Sequence, residues 1–286
     1  MWWSTLTGKL EQAKVLDPAT EKVAGVVGKV LPAGPVKDLL HGTWLGHAVH
    51  PLLVALPIGM WSGASLLDLT STDDGARRAA RRLVGAGILS IAPTAASGWA
   101  DWSALGTAKR PKRVGLVHAA ANNATTAIYV ASWLARRRGD HARGRNLALV
   151  GAGGLMVGGY LGGHLAFSQA VGVNRNADRA KTPRDWTDAA LAADVVEGTP
   201  LRVAVKGSPV VLVRQGGRVH AMGAVCSHWG APLEDGSVED GCLVCPWHGS
   251  RFRLEDGAVE RGPATSPQLG YEVRTSGDRL EVRALV

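Results

Sequence analysis

The chain has 286 residues, a net charge of +8 and three cysteines. Its length predicts one or two domains, and three cysteines are too few for the disulfide framework of a small secreted protein. Only 20% of the residues are charged, which excludes a disordered chain and a highly charged coiled coil. Residues 191–286 carry ten basic and twelve acidic side chains, so the basic surplus lies before them. This division argues against a nucleic-acid partner.

Residues 1–40 are predicted to form an amphipathic segment that lies on a surface. Three prolines, Pro18, Pro32 and Pro35, interrupt it. The segment has no basic stretch followed by an apolar core, so we expect no cleavable export signal.

Four long stretches without a formal charge follow. They contain 29, 18, 22 and 29 residues and lie at 39–67, 83–100, 114–135 and 146–174. A helix that crosses a bilayer needs about 20 largely apolar residues. The sequence therefore predicts an all-α four-helix transmembrane bundle at residues 41–171. Its helices are placed near 48–69, 83–104, 114–135 and 146–170.

Glycine and alanine dominate these stretches, which favours lipid over water as their surroundings. Glycine weakens a helix in water by about 1 kcal/mol, whereas small residues let helix backbones approach closely in a bilayer. The loops between the stretches are short and basic, as expected near lipid headgroups. A soluble bundle rich in alanine and glycine is the alternative, and Asn122, Asn123, Thr125 and Thr126 in the third stretch favour it.

The first stretch contains a recognisable motif. Residues 41–53 read HGTWLGHAVHPLL, and Pro57-Ile58-Gly59 follows. This pattern resembles the opening of the DUF2231 family of four-helix membrane proteins, and the resemblance covers residues 15–170. It implies a membrane fold but no activity.

Four histidines are predicted to lie at similar depth at one end of the bundle. They are His47, His50, His118 and His164. Ionisable residues inside membrane helices are costly and are therefore functional candidates, and neutral imidazole is a common haem ligand. Haem b or another metal is one interpretation. The other is that these histidines only form hydrogen bonds with the backbone and lipid headgroups.

The pattern changes after the bundle. Residues 172–191 are polar and aperiodic and are interpreted as a linker. From 192 to 286, short strand-like segments, such as the alternating Leu201, Val203 and Val205 and the apolar run Val210–Val213, are separated by glycine-rich turns. This pattern is typical of a small all-β domain.

The β domain holds two cysteines and two histidines in the spacing C-x-H-x16-C-x-x-H. They are Cys226, His228, Cys245 and His248. Two thiolates and two imidazoles on paired loops suit a [2Fe–2S] centre with mixed ligation. A zinc site is the alternative, although zinc fingers usually space their first pair as C-x2–4-C. The same residues, with Gly230–Leu233, His248–Phe252 and Gly262–Ala264, resemble the Rieske ferredoxin family over residues 192–286.

This resemblance implies that the two cysteines bind one iron and the two histidines bind the other. It also implies that Ser250 donates a hydrogen bond to a cluster sulfur. Quinol-oxidising members carry a tyrosine where Phe252 stands, and two further cysteines where Ala231 and Trp247 stand. Losing one hydrogen-bond donor implies a lower reduction potential, as in ferredoxins that serve oxygenases and reductases.

The sequence therefore predicts a membrane-anchored electron-transfer protein rather than a stand-alone catalyst. Single electrons would pass to or from a redox partner, which is a reductase, an oxygenase or a quinone-linked complex. A catalytic oxygenase would need a further iron site with two histidines and a carboxylate, and no such set is found. A subunit of a quinone-linked complex and a redox sensor are the alternatives. The expected location is the bacterial cell membrane, with the Rieske domain in the cytoplasm.

Overall fold

The computed structural model describes residues 2–177 and 182–285, and side chains from Thr5 onward. Residues 178–181, in the middle of the predicted linker, lie outside the described residues. The chain divides into two compact units. The first unit contains Met1–Pro32 and Val49–Val171, and the second contains Ala33–Ala48 and Gly172–Val286. The predicted fold class, all-α followed by all-β, is confirmed.

The helices are numbered here in chain order. They are α1 (Trp2–Gln12), α2 (Asp17–Val30), α3 (Pro35–His41), α4 (His50–Thr70), α5 (Asp74–Ser103), α6 (Lys109–Arg137) and α7 (His141–Gly163). A π-helical turn, His164–Ser168, extends α7. Helix α3 belongs to the second unit, and the other six helices form the first.

The four predicted membrane helices correspond to α4, α5, α6 and α7. Three of them are long and apolar enough to cross a membrane: α4, α5 and the continuous stretch His141–Ser168. Helix α6 does not meet the same criterion, because Asn122, Asn123 and its threonines lower its hydropathy. The number of four membrane-crossing helices is therefore not confirmed, although four long helices are present among the described residues.

Aromatic rings packed on glycines hold the centre of the first unit together. Trp61 of α4 stacks on Tyr129 of α6 with ring centroids 3.9 Å apart. The Trp61 indole donates a hydrogen bond to the Val84 carbonyl at 3.2 Å. A Cβ atom at Gly87 would lie 2.2 Å from the Trp61 Nε1, and one at Gly151 would lie 2.7 Å from the Tyr129 ring. The glycines of the sequence therefore provide the close approach that the rings need.

We expect Gly87→Ala to destabilise the first unit by about 1–3 kcal/mol, because the added methyl group overpacks a buried site. Trp61 cannot move away without losing its stacking and its hydrogen bond. Gly153→Ala is the matched control, since no atom lies within 4 Å of its added Cβ. Thermal unfolding in detergent, followed by circular dichroism, measures both. Equal melting temperatures for the two variants would contradict this packing.

Two ion pairs join distant helices of the first unit. The Arg113 guanidinium on α6 binds the Asp17 carboxylate at 2.6 Å and 2.8 Å, and also donates to the Glu11 carbonyl at 2.6 Å. The N-terminal helices α1 and α2 are thereby fixed on α6. The second pair, Arg136 on α6 with Asp68 on α4, is 1% and 7% exposed and is separated by 2.5 Å.

The second unit contains ten strands among the described residues. They are β1 (Thr187–Leu191), β2 (Leu201–Val205), β3 (Ser208–Gln215), β4 (Arg218–Gly223), β5 (Ser237–Glu239), β6 (Cys242–Val244), β7 (Arg251–Arg253), β8 (Val259–Arg261), β9 (Gly270–Ser276) and β10 (Arg279–Ala284). One antiparallel sheet has the order β1-β10-β9-β4-β3-β2, and a smaller one has the order β5-β6-β7-β8. Strand β1 lies at the end of the segment interpreted as a linker and pairs with β10.

One of the two apolar cores of the second unit contains residues from both sheets. It includes Met222 and Val211 from the large sheet and Leu243 and Phe252 from the small one. The same core contains Cys226 and Cys245. The two sheets therefore hold the ends of the cysteine-bearing loops in fixed positions.

Candidate metal centre

The first ligand loop joins β4 to β5 and carries Cys226 and His228. The Cys226 N–H donates to the Ala231 carbonyl at 2.8 Å, and the Gly230 N–H donates back to the Cys226 carbonyl at 2.9 Å. Gly230 has a φ of 80°, a left-handed conformation that other residues adopt at a cost. These bonds close a tight turn that places His228 at its tip.

The second ligand loop joins β6 to β7 and repeats this geometry. The Cys245 N–H donates to the Ser250 carbonyl at 2.8 Å, and the Gly249 N–H donates to the Cys245 carbonyl at 3.1 Å. Gly249 has a φ of 72°. His248, three residues after its cysteine, lies within this turn as His228, two residues after its cysteine, lies within the first.

The two loops bring the predicted cysteines and histidines together. Cys226 and Cys245 are 1% and 2% exposed. Their mutual interaction raises the pKa of Cys226 and lowers that of Cys245. The rings of His228 and His248 are only partly buried, and their centroids lie 5.0 Å apart at 87°. The site thus has a thiol side inside and an imidazole side near the surface.

The donor set fits a [2Fe–2S] cluster. The His228 Nδ1 is a buried nitrogen with no hydrogen-bond partner, and the His248 Nδ1 is buried as well. Burial lowers the pKa of His228 to about 3, so the ring is neutral and its nitrogen can bind a metal. The two cysteines lie on the buried side and the two histidines on the partly exposed side, which suits two irons that are each held by one pair.

A third loop, residues 262–268, is fastened to both ligand loops. The Ser227 hydroxyl donates to the Ser266 carbonyl at 2.6 Å. The Ser250 hydroxyl oxygen, fully buried, accepts from the Ala264 N–H at 2.9 Å. Because that oxygen is the acceptor here, the Ser250 hydroxyl proton is still available to a cluster sulfur, as the resemblance implied.

A segment from the N-terminal half of the sequence lies against the third loop. Residues 33–48 belong to the second unit, and the Asp38 carboxylate accepts from the Gly262 N–H at 2.9 Å. His41 is 2% exposed and interacts electrostatically with His228. The sequence did not predict that His41, which is part of the membrane motif, lies near His228.

Cys242, the third cysteine, lies outside the ligand loops. It is buried, and its thiol donates to the Glu260 carboxylate at 2.7 Å. Burial raises the pKa of Cys242 to about 11, so it stays a thiol at neutral pH. It is therefore a suitable control for the two cysteines of the centre.

The four histidines predicted at one end of the bundle have different surroundings. His50 and His118 are in the first unit and interact electrostatically with one another. His164 instead binds the Glu11 carboxylate at 2.8 Å. His47 belongs to the second unit, where its Nδ1 lies 2.9 Å from the Ala48 carbonyl. Of the four, His50 and His118 are the two for which the structure gives a mutual interaction.

Comparison with known proteins supports both resemblances. The profile of the Rieske [2Fe–2S] domain matches residues 185–276, and that of the predicted membrane protein DUF2231 matches residues 46–175. The anthranilate 1,2-dioxygenase ferredoxin subunit of Burkholderia cepacia is 32% identical over 101 residues, which cover 35% of this chain and 94% of that subunit. The ferredoxin of carbazole 1,9a-dioxygenase from Nocardioides aromaticivorans IC177 is 30% identical, with a TM-score of 0.33, and the match covers 34% of this chain and 96% of that one.

A further relative is much longer. Apoptosis-inducing factor 3 of Homo sapiens is 33% identical over 105 residues, which are 36% of this chain. The match spans only 17% of the length of that relative.

The second unit is thus a Rieske-type electron-transfer domain. The chain belongs to the Rieske [2Fe–2S] family, and it fuses this domain to an N-terminal DUF2231 domain. Both resemblances predicted from the sequence are confirmed.

Proposed function

We propose that the protein is a membrane-anchored carrier of single electrons. Cys226 and Cys245 would bind one iron of a [2Fe–2S] cluster, and His228 and His248 the other. The observation that carries the proposal is the pairing of two buried sulfurs with two imidazoles whose Nδ1 atoms are buried. The cluster accepts or releases one electron, and the chain itself breaks no substrate bond.

The residues around the centre favour electron transfer through its histidine edge. His228 and His248 are partly exposed, while the cysteines are buried, so a partner approaches the imidazoles first. Trp247, beside His248, is 54% exposed and offers an apolar contact at the same place. The similar ferredoxins are components of dioxygenase systems, which supports a reductase or an oxygenase as the partner class.

Spectroelectrochemistry on the full chain in detergent tests the proposal. We expect the absorption and electron paramagnetic resonance signals of a Rieske cluster and a single one-electron step. A potential well below that of quinones supports a ferredoxin role. A potential near or above that of a quinone would favour a subunit of a quinone-linked complex. A redox sensor, the third candidate, would require that reduction alters binding of a partner that takes up no electron.

The anchor is proposed from the first unit. Helices α4, α5 and the stretch His141–Ser168 have the length and composition of membrane spans, and DUF2231 is a predicted membrane protein family. We expect the protein in the membrane fraction of bacterial cells, resistant to extraction with alkaline carbonate. Release by carbonate would contradict the anchor.

We place the Rieske domain on the cytoplasmic side of the membrane. A [2Fe–2S] cluster must be assembled before or without translocation, which favours the cytoplasm. Reporter fusions at the C-terminal end test this. A fluorescent fusion that is bright, with an inactive alkaline phosphatase fusion, is expected, and the opposite pattern would contradict the placement.

A second cofactor, haem b, is proposed between His50 and His118. Their Nδ1 atoms each lie 3.0 Å from a carbonyl oxygen, that of Thr94 and that of Gly158. A carbonyl only accepts, so each Nδ1 carries the hydrogen and Nε2 is the basic nitrogen. Metal-binding histidines commonly have this tautomer. The Asn122 amide, 3.1 Å from the His118 Nε2, would have to rotate away.

We expect His118→Ala to lose haem and His164→Ala to retain it, because His164 is bound to Glu11. The pyridine haemochrome assay on protein from cells supplied with a haem precursor measures both. Absence of haem in the unmodified chain, or equal haem in the two variants, would reject this site and leave the first unit as an anchor.

A further inference from the structure

Residues 33–48 form a segment, here called the strap, that is far from the ligand loops in sequence. It contains α3 and a short turn at Thr43–Leu45. Gly42, with a φ of 87°, ends the helix and reverses the chain. We propose that the strap is part of the metal centre and that Asp38 is a positioning residue that sets the reduction potential of the cluster. This inference rests on the proposed function.

The strap is held on the third loop by specific contacts. The Asp38 Oδ1 accepts from the Gly262 N–H at 2.9 Å, and its Oδ2 lies 4.0 Å from the Arg261 guanidinium. A Cβ atom at Gly262 would lie 3.1 Å from the Thr43 Cγ2 and 3.3 Å from the His41 Cδ2. The strap therefore packs directly on the backbone of Gly262.

The third loop transmits this contact to both ligand loops. Ala264, two residues after Gly262, donates to the Ser250 hydroxyl beside the second ligand pair. Ser266 accepts from Ser227, which lies between Cys226 and His228. The strap thus acts on the ligands through one intermediate loop.

The anthranilate 1,2-dioxygenase ferredoxin subunit is too short to contain a counterpart of the strap. Its alignment with this chain covers 94% of its length, and the remainder is too short to supply a counterpart of residues 33–48. The strap is therefore additional to the part of the chain that aligns with that ferredoxin. It comes from the half of the chain that holds the predicted membrane helices.

The negative charge of Asp38 is expected to lower the reduction potential of the cluster. The reduced cluster carries one more negative charge than the oxidised cluster, and a nearby carboxylate disfavours it. The Arg261 guanidinium offsets only part of that charge, since the two are 4.0 Å apart. Asp38→Asn removes the charge but keeps an oxygen that accepts from Gly262, so the loop stays in place.

Potentiometric titration of the full chain in detergent tests the inference. At a fixed applied potential near the midpoint, we expect Asp38→Asn to raise the ratio of reduced to oxidised cluster about three- to tenfold, a tenfold change being 59 mV for one electron. We expect Asp38→Ala, which also leaves the Gly262 N–H without its acceptor, to alter the resonance spectrum of the reduced cluster.

Asp188→Asn is the matched control. Asp188 is also bound to an arginine, Arg279, but it lies on the edge strand β1 rather than on a loop of the centre. An unchanged potential in Asp38→Asn at full iron content, or an equal shift in Asp188→Asn, would overturn the role of the strap. Absence of the cluster from the unmodified chain would instead overturn the proposed function.

Discussion

Replacing His228 or Cys245 by alanine is expected to abolish the iron–sulfur cluster and to destabilise the second unit. The two ligand loops are tied by few backbone hydrogen bonds, and the rings of His228 and His248 lie 5.0 Å apart with neither in the apolar core. Metal binding to such loops is coupled to folding, so the loss of one ligand loosens both. Iron and sulfide per chain should fall from two each to nearly none.

Cys242→Ala is the control for this loss. Cys242 is as buried as the ligand cysteines but binds Glu260 on β8, so its replacement should leave iron and sulfide unchanged. The helical circular dichroism signal of the first unit should persist in all three variants. Full iron content in both His228→Ala and Cys245→Ala would show that the ligand assignment is wrong.

Breaking the buried pair between Arg136 and Asp68 is expected to be the most damaging change in the first unit. Both side chains are almost fully buried, and the guanidinium also donates to the Ser132 hydroxyl at 3.2 Å. Asp68→Ala leaves a buried positive charge without its partner, which typically costs about 3–5 kcal/mol. The melting temperature of this unit in detergent should fall accordingly.

Two comparisons test whether the unpaired charge of Arg136 causes the loss of stability in Asp68→Ala. Arg77→Ala breaks an exposed pair with Asp74 at 3.3 Å and should cost less than about 1 kcal/mol. The double variant Asp68→Leu with Arg136→Met removes both charges and should recover much of the stability. A double variant as unstable as Asp68→Ala would mean that packing, not the unpaired charge, is responsible.

The four long helices of the first unit could be located from sequence, because each of them contains a long stretch without formal charges. The predicted stretch 114–135 lies within α6, which runs from Lys109 to Arg137. The charge-free stretches do not determine the number of membrane spans. Helix α6 is long enough to cross a membrane, but it also carries polar residues that face neighbouring helices. Asn122, for example, forms a hydrogen bond with His118 at 3.1 Å.

Strand β1 shows a different limit. Its residues, Thr187–Leu191, are short and mostly small or polar, with no strong alternation. It becomes a strand because β10 offers an edge with which it pairs, and Thr187 faces Val282. Such pairing depends on residues nearly a hundred positions away, so the sequence of β1 itself does not indicate it.

That the two cysteines and two histidines lie together was predictable, because the pattern that identifies them is local. Each loop carries its cysteine and histidine within four residues, and few centres use that combination. The strap was not predictable, because the bond from Asp38 to Gly262 joins residues 224 positions apart. The partners of the membrane histidines depend on which helices pack together, and helix length does not reveal them.

The strap also determines the order in which the protein can be made. A ribosome adds about 5–20 residues per second, so about 10–45 s separate the synthesis of Asp38 from that of Gly262. During that interval the four long helices emerge while the strap has no binding site. Closing so long a loop costs little more entropy than closing one of half the length. The large separation in sequence therefore weakens the final contact very little. The seating of the strap is therefore a late step of biogenesis, and a chain stalled before Gly262 exposes it.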